Sequence, residues 1–202
     1  MPRERLERQI RFILEIDKLK EVLRRTYLTG SLRRENTAEH SWHVAVMALV
    51  LAEYADQPVD PARVVKMLLV HDIVEVDAGD TYVYDEAAVA TRAEREERAA
   101  ARLFGLLPSD QAAELAGLWR EFDARRSADA RFAAALDRIM PVLHNVATGG
   151  RSWREHGITA DRVVARNRTI ADGSAALWEY ARRLIERAVA DGVLAAAPEA
   201  PS

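Results

Sequence analysis

The residues best able to do chemistry in this sequence are a histidine and an aspartate side by side, His71-Asp72, in an otherwise apolar stretch. Met67-Leu68-Leu69-Val70 precede the pair and Ile73-Val74 follow it. On a helix that turns Val64 and Leu68 inward, His71, Asp72 and Glu75 fall on one side, because residues three and four apart share a face. Ionisable groups on a core-facing stripe are costly unless they are paired or bind a metal. A plain His–Asp hydrogen bond with Glu75 reaching solvent would also satisfy this spacing.

Two distant positions enlarge the set. His40 shares a helical stripe with Val44, Met47 and Leu51, so it should point inward. By itself it could be a satisfied core histidine. Asp137 stands in the apolar run Phe132 to Met140, where it could simply pair with Arg138. Together His40, His71, Asp72 and Asp137 offer two imidazoles and two carboxylates from three helices. Such a set suits a catalytic divalent ion with positions left for water and substrate. The chain has no cysteine, so any metal must take His, Asp or Glu ligands.

The elements that would carry these residues read as helices throughout. Alanine, leucine, arginine and glutamate dominate and glycine is scarce, a balance that favours helix. Phe12, Ile16, Leu19 and Leu23 recur at helical spacing and predict a first helix over about 3–25. Asn36 with Glu39 three residues on suits a capping box, opening a helix to about Tyr54. Asp60-Pro61 opens a third, to about Val74 or Glu75. A loop with Asp77, Gly79 and Asp80 precedes an Arg/Glu-rich helix at 86–104, and Pro108-Ser109-Asp110 starts another. Ser127 caps a helix to about Ala147 with Pro141 inside it, where a kink is expected. Gly149-Gly150 ends it, and Thr159 and Ser174 open two more. No segment alternates with period two. The expectation is an all-α fold of about seven to nine helices. It forms one domain over 1–194, with a frayed Ala/Pro-rich tail over 195–202.

Composition narrows the function. Of 202 residues, 49% are hydrophobic and 30% charged, which fits a globular domain with a solvated surface. The net charge of −3 lacks the basic excess that drives nucleic-acid binding, so no nucleic-acid partner is expected. The charged N-terminus does not read as a signal peptide, and no apolar run approaches the ~20 residues of a membrane span. A cytoplasmic protein with no membrane partner is expected.

The order H…HD…D resembles that of the HD superfamily of metal-dependent phosphohydrolases. Arg34-Glu35-Asn36-Thr37-Ala38-Glu39-His40-Ser41 resembles the EN-x-x-E-H-S block of its 5′-deoxynucleotidase branch. His71 through Asp80 resembles the HD-x-x-E-x-x-x-G-D block, and Leu136-Asp137-Arg138 the distal Asp helix. The resemblance covers about residues 8–190 and implies a single HD-domain helical bundle. It matches His40, His71, Asp72 and Asp137 to the metal ligands. Glu75 matches a catalytic acid/base or water-orienting residue, and Asp80 a second active-site carboxylate. Substrate contacts would come from Arg24 and Tyr27, with Arg25 the alternative to Arg24; tyrosine stands where many relatives have tryptophan.

The implied reaction is hydrolysis of a (deoxy)nucleoside 5′-monophosphate by metal-activated water, in a homodimer. The cofactor would be one divalent ion: Mn, Co, Fe, Ni, Zn or Mg. Dinuclear members of the superfamily carry extra histidines between the HD pair and the distal Asp, and none lies between Asp72 and Asp137. Another mononuclear hydrolase, acting on a nucleotide analogue or an alarmone, is the nearer alternative, although Val76 breaks the HD-x-x-E-D pattern of the alarmone hydrolases. A non-catalytic binding module is the other, although every motif position is filled. His43 reads as a packing or hydrogen-bonding residue, and His144 and His156 have no motif support.

Overall fold

A computed structural model describes residues 2–198. In chain order come α1 (Pro2–Ile16), a 3₁₀ turn (Asp17–Glu21), β1 (Leu23–Tyr27), β2 (Arg34–Asn36) and α2 (Thr37–Leu51). After a 3₁₀ turn at Ala52–Tyr54 follow α3 (Pro61–Val70), α4 (Glu75–Ala78), α5 (Glu86–Phe104) and α6 (Ser109–Ala124). Then come α7 (Ala128–Ala147), α8 (Arg151–Glu155) and α9 (Ala160–Asn167), a 3₁₀ turn at Arg168–Asp172, and α10 (Ala175–Ala190). The helical class read from composition holds.

α7 is the central helix. Phe132, Ala133, Ala134, Ala135, Leu136, Ile139 and Met140 are all buried on it, a spread wider than one amphipathic stripe. It packs against α2, α3, α6 and α10, so neighbours cover most of its circumference. Val44 and Ala48 of α2 and Val64, Met67 and Leu68 of α3 complete this core. A second cluster joins Phe12, Val70, Val74, Leu103, Phe104 and Trp119, and a third is built around Val142, Trp153, Ile158 and Ile185.

The helix starts follow local chemistry. The Asn36 side chain accepts from the Glu39 N–H while the Glu39 carboxylate accepts from the Asn36 N–H, a complete capping box. Asp60 caps α3 with Pro61 at its first position, and Ser127 and Ser174 cap α7 and α10. α7 runs on through Pro141, which lacks the N–H that would meet the Asp137 carbonyl.

Three expectations are corrected. The first helix stops at Ile16 rather than near 25, and its apparent continuation is the hairpin β1–β2. Leu23, expected on the helix's apolar face, is exposed. The hairpin escaped notice because its strands are short and one is irregular. Leu23 pairs with Asn36 and Tyr27 with Arg34, so three residues of β1 oppose the single residue Glu35. Such a bulge removes the alternation that marks a strand. Finally, the third helix ends at Val70, not at 74 or 75. Ile73 and Glu75 donate to the carbonyls of Val70 and Asp72, three residues back, so the chain tightens into turns before α4. At the other end, the Ala195 carbonyl accepts from the Ala160 N–H at 2.9 Å, in a bridge between Thr159 and Ala195. The last residues of the expected tail, 199–202, lie outside the described residues. Among the described residues, no helix is long and apolar enough to cross a membrane.

Candidate metal centre and active site

The capping box fixes the first turn of α2, and His40 in that turn is completely buried. His71 ends α3, Asp72 follows it in the tight turn, and Asp137 lies midway along α7. These four side chains meet. His40 Nε2 is 2.9 Å from Asp137 Oδ1 and 3.8 Å from Asp72 Oδ2. His71 Nε2 is 3.0 Å from Asp72 Oδ2 and 3.8 Å from Asp137 Oδ1.

The histidine tautomers decide what this cluster is for. His71 Nδ1 lies 2.6 Å from the Leu68 carbonyl, which only accepts, so Nδ1 carries a proton there. The lone pair of Nε2 then faces two carboxylates. That buried nitrogen has no hydrogen-bond partner. His40 Nδ1 lies 3.7 Å from the Glu35 carboxylate and has no hydrogen-bond partner, while Nε2 points at Asp137. Lone pairs turned on one another in a dry core repel unless a cation sits among them. Ligand atoms about 2.0–2.2 Å from one ion stand ~3–4 Å from each other. The four His–Asp distances here, 2.9, 3.0, 3.8 and 3.8 Å, are of that size, and His40, His71 and Asp72 bring ligand atoms within 4.8 Å of one another. The residues therefore fit a divalent metal.

The electrostatics carry the same message. Burial works against a charged His71, yet Asp72 and Asp137 outweigh it and lift the ring to about 10. Burial likewise opposes charge on Asp137, but His40 and His71 hold it well below the ordinary carboxylate range.

The next layer is acidic with one arginine. Arg24 Nη1 donates to Asp72 Oδ2 at 3.0 Å and lies 3.7 Å from Asp80 Oδ1, while its Nε is 3.8 Å from Glu35. The bulge in β1 explains why Arg24, Arg25 and Thr26 all line the same cavity: consecutive residues of a regular strand would alternate between faces. Glu75 is buried, and Thr37 Oγ1 donates to its Oε2 at 2.8 Å. Burial, with Asp72 nearby, pushes Glu75 well above its ordinary value. Asp80 is also raised by burial, against the pull of Arg24. It reaches the cavity because Gly79 turns the chain at φ +71°, a conformation that side chains oppose.

One expected contact fails. Tyr27 does not line the cavity; its hydroxyl donates to Glu155 at 2.6 Å, and the Arg151 guanidinium lies 4.1 Å from its ring centroid. Beyond Asp80 the cavity is lined instead by Tyr82 and Tyr84, whose rings are 5.3 Å apart. The ring of His156 stands 4.8 Å from that of Tyr82. Tyr82-Val83-Tyr84 has no helical period and sits in a loop, so only proximity to Asp80 in sequence pointed to it. Arg92, Arg138, Asn145 and Asn167 also line the cavity.

His43 and His144 acquire a context that the sequence withheld. With Glu35 they bring ligand atoms within 4.8 Å of one another. Glu35 is nevertheless committed: Thr26 donates to its Oε2 at 2.9 Å, and both His40 and His144 face the same oxygen at 3.7 and 3.9 Å. Its evident work is to orient His40. Arg33 pairs with Glu39 on the surface.

The chain matches the family model described as HD domain over residues 16–178. It is similar to the 5′-deoxynucleotidase HDDC2 of Homo sapiens and of Bos taurus, 33% identical to each over 135 residues. Those matches cover 66% of this chain, and 65% and 64% of the human and bovine proteins, so slightly under two thirds of either relative. A predicted metal-dependent phosphohydrolase from Magnetospirillum magnetotacticum MS-1, known by crystal structure, is 57% identical with a TM-score of 0.92. That similarity covers 96% of this chain and 98% of the other. A conserved hypothetical protein from Pyrococcus furiosus, 21% identical with a TM-score of 0.60 over 89% of this chain and 98% of its own, shares the fold.

Proposed function

The chain belongs to the HD-domain family, and from that premise we propose that it is a metal-dependent phosphohydrolase acting on (deoxy)nucleoside 5′-monophosphates. The observation that carries this reading is the cluster of buried His40, His71 and Asp72 ligand atoms, with Asp137 of α7 at 2.9 and 3.8 Å from the two imidazoles. In it His40, His71, Asp72 and Asp137 hold one divalent ion, Mn, Co, Fe, Ni, Zn or Mg. One ion is proposed because Glu35, the carboxylate of the neighbouring histidine group, is already engaged. When bound, the ion supplies Lewis acidity toward a water and the phosphoryl oxygens.

The chain's own groups manage the protons. Water attacks phosphorus, a new P–O bond forms, and the ester P–O bond breaks. A proton must leave the water and one must reach the departing 5′-oxygen. Glu75 is suited to the transfer, because its raised affinity for a proton brings it nearer the working pH. Thr37 fixes the carboxyl through Oε2. Asp80, also raised, is the second proton carrier, on the far side of Arg24. Arg24 keeps Asp72 charged and oriented for the ion while presenting the rest of its guanidinium to the phosphoryl group. The nucleoside would lie against Tyr82 and Tyr84, which take over the role first expected of Tyr27.

A cytoplasmic setting and a homodimer belong to the same reading. The dimer is supported by two exposed apolar stripes with matching spacing, Leu6, Ile10, Ile13 and Leu14 on α1, and Trp42, Val46, Leu49 and Val50 on α2. The test of the activity is phosphate release from a panel of nucleoside mono-, di- and triphosphates after defined metal loading. Release from 5′-monophosphates that chelation abolishes and metal restores is the expected result. Release from none of them with any of the six metals would overturn the reading.

A further inference from the structure

The cavity gathers charges of both signs. On one side the charge of Arg24 is met by Asp72, Asp80, Glu75 and Asp137. The cavity is also lined by Arg92, which pairs with Glu96, and by Arg138, whose acidic neighbour is Asp137. Arg138 forms no hydrogen bond or ion pair among the described residues, and its buried Nε is without a partner. Its charged neighbours are Asp137 and the arginines Arg166, Arg125 and Arg92. Arg92 spends its Nε on Glu96 at 2.6 Å, leaving its two terminal nitrogens. Arg166 lines the adjoining cleft, which shares Val83 and Tyr84 with the cavity, and its Nε is also buried without a partner.

Arg92, Arg138 and Arg166 thus act on one another, and of the three only Arg92 is paired among the described residues, with Glu96. Holding unpaired cations together in a partly dry wall is costly, and the usual relief is a bound anion. A scissile phosphoryl group held at the metal site would lie on the side of Arg24. Arg138 is left for something else on the substrate. We propose that Arg138, flanked by Arg92 and Arg166, forms an anion subsite that selects nucleotides bearing a second anionic group beyond the 5′-phosphate, a nucleoside 3′,5′-bisphosphate being the simplest. This rests on the phosphohydrolase reading for the position of the first phosphate. The two phosphates would then sit in one cavity, one at the metal site and one at Arg138, with the nucleoside along Tyr82 and Tyr84. Guanidinium groups with free paired N–H donors suit a phosphate dianion well.

The test compares deoxyadenosine 3′,5′-bisphosphate with deoxyadenosine 5′-monophosphate. For the metal-loaded wild type, the ratio of kcat/KM for 5′-phosphate release should favour the bisphosphate by about 10-fold or more, the usual worth of a charge-assisted contact. Arg138→Gln should bring that ratio close to one. Calorimetry on metal-depleted protein gives a second readout: the bisphosphate should bind wild type more tightly than the monophosphate, and Arg138→Gln should remove the difference. Since Arg138 has no partners, Gln should not disturb folding; Arg138→Lys and Arg166→Gln provide the comparison if it does, each expected to lower the preference. A ratio near one in the wild type, or a ratio that Arg138→Gln leaves unchanged because both substrates weaken together, overturns the subsite. If the wild type hydrolyses neither nucleotide but keeps its Arg138-dependent binding preference, the subsite stands and the phosphohydrolase reading falls.

Discussion

Glu75 and Asp137 are carboxylates of one cavity, the first buried and the second partly so, yet their surroundings drive them apart. Two imidazoles lower the proton affinity of Asp137 against its burial; burial and Asp72 raise that of Glu75. Asp137 is equipped to ligate and Glu75 to carry a proton. Asp137→Ala should therefore abolish stoichiometric metal in a reloaded, desalted sample while leaving the helical circular dichroism signal, since alanine suits a helix interior. Elemental analysis should find one ion per wild-type chain and none in the variant; retention of metal by the variant would make Asp137 structural. Glu75→Gln should keep the metal and lose turnover by ~10²–10⁴-fold, the usual contribution of a general acid–base group. Its stability effect has a sign. In metal-depleted protein the folded state holds the Glu75 proton above the ordinary value of 4.5, where the unfolded chain has released it. Stability from this group is full below 4.5 and drains away as pH rises toward the folded-state value. The melting temperature of Glu75→Gln relative to wild type should accordingly climb with pH above that point. A difference that is flat with pH would mean Glu75 is ionised in the folded state.

At the scale of elements, three local devices aim the site. The capping box opens α2 one turn before the fully buried His40. The three-residue bulge of β1 brings Arg24, Arg25 and Thr26 to one cavity. The tight turn after Val70 matters most, because in a 3₁₀ arrangement residues three apart eclipse one another. That stacks Glu75 over Asp72 more directly than the α-helix expected from sequence would have done. Asn36→Ala tests the first device. Loss of an N-cap costs ~1 kcal/mol, and here the frayed turn would contain a metal ligand. Urea unfolding should show that loss, and competition with a chelator should show weaker metal retention. Loss of stability with unchanged metal affinity would mean His40 is held by its tertiary contacts alone.

At the scale of the molecule, the apolar surface is not fully used by one chain. α1 is buried at Phe12 and yet exposes Leu6, Ile10, Ile13 and Leu14 on its other side; a helix apolar on both sides wants a second neighbour. Trp42, 63% exposed on α2, would be costly to leave in water and is well suited to an interface centre. Sedimentation equilibrium should give the mass of a dimer for wild type, and Trp42→Glu or Leu14→Glu should shift it toward the monomer without changing the helical signal. A wild type that sediments as a monomer would remove the homodimer from the proposed function.

The sequence alone determined the helical class, most helix starts and the four His and Asp side chains that meet in the core. Those features rest on local rules: side-chain caps, helical periodicity, and ionisable residues set in apolar runs, which have few resting places other than a shared polar centre. It also carried the family resemblance, because the motif blocks are contiguous. Tertiary structure decided what depends on residues far apart in the chain. The β1–β2 hairpin is visible only through its pairing, since its bulge erases the period of two. Glu35 shows itself as the orienting carboxylate of His40 only when β2 is laid against α2, and His144 joins it from α7. Tyr27 left the cavity for Glu155 and Arg151, partners that lie across the chain on α8. The charge of the cavity wall was hidden for the same reason: Arg92, Arg138 and Arg166 come from α5, α7 and α9, and that they gather with too few acids is a property of packing, not of any window of sequence.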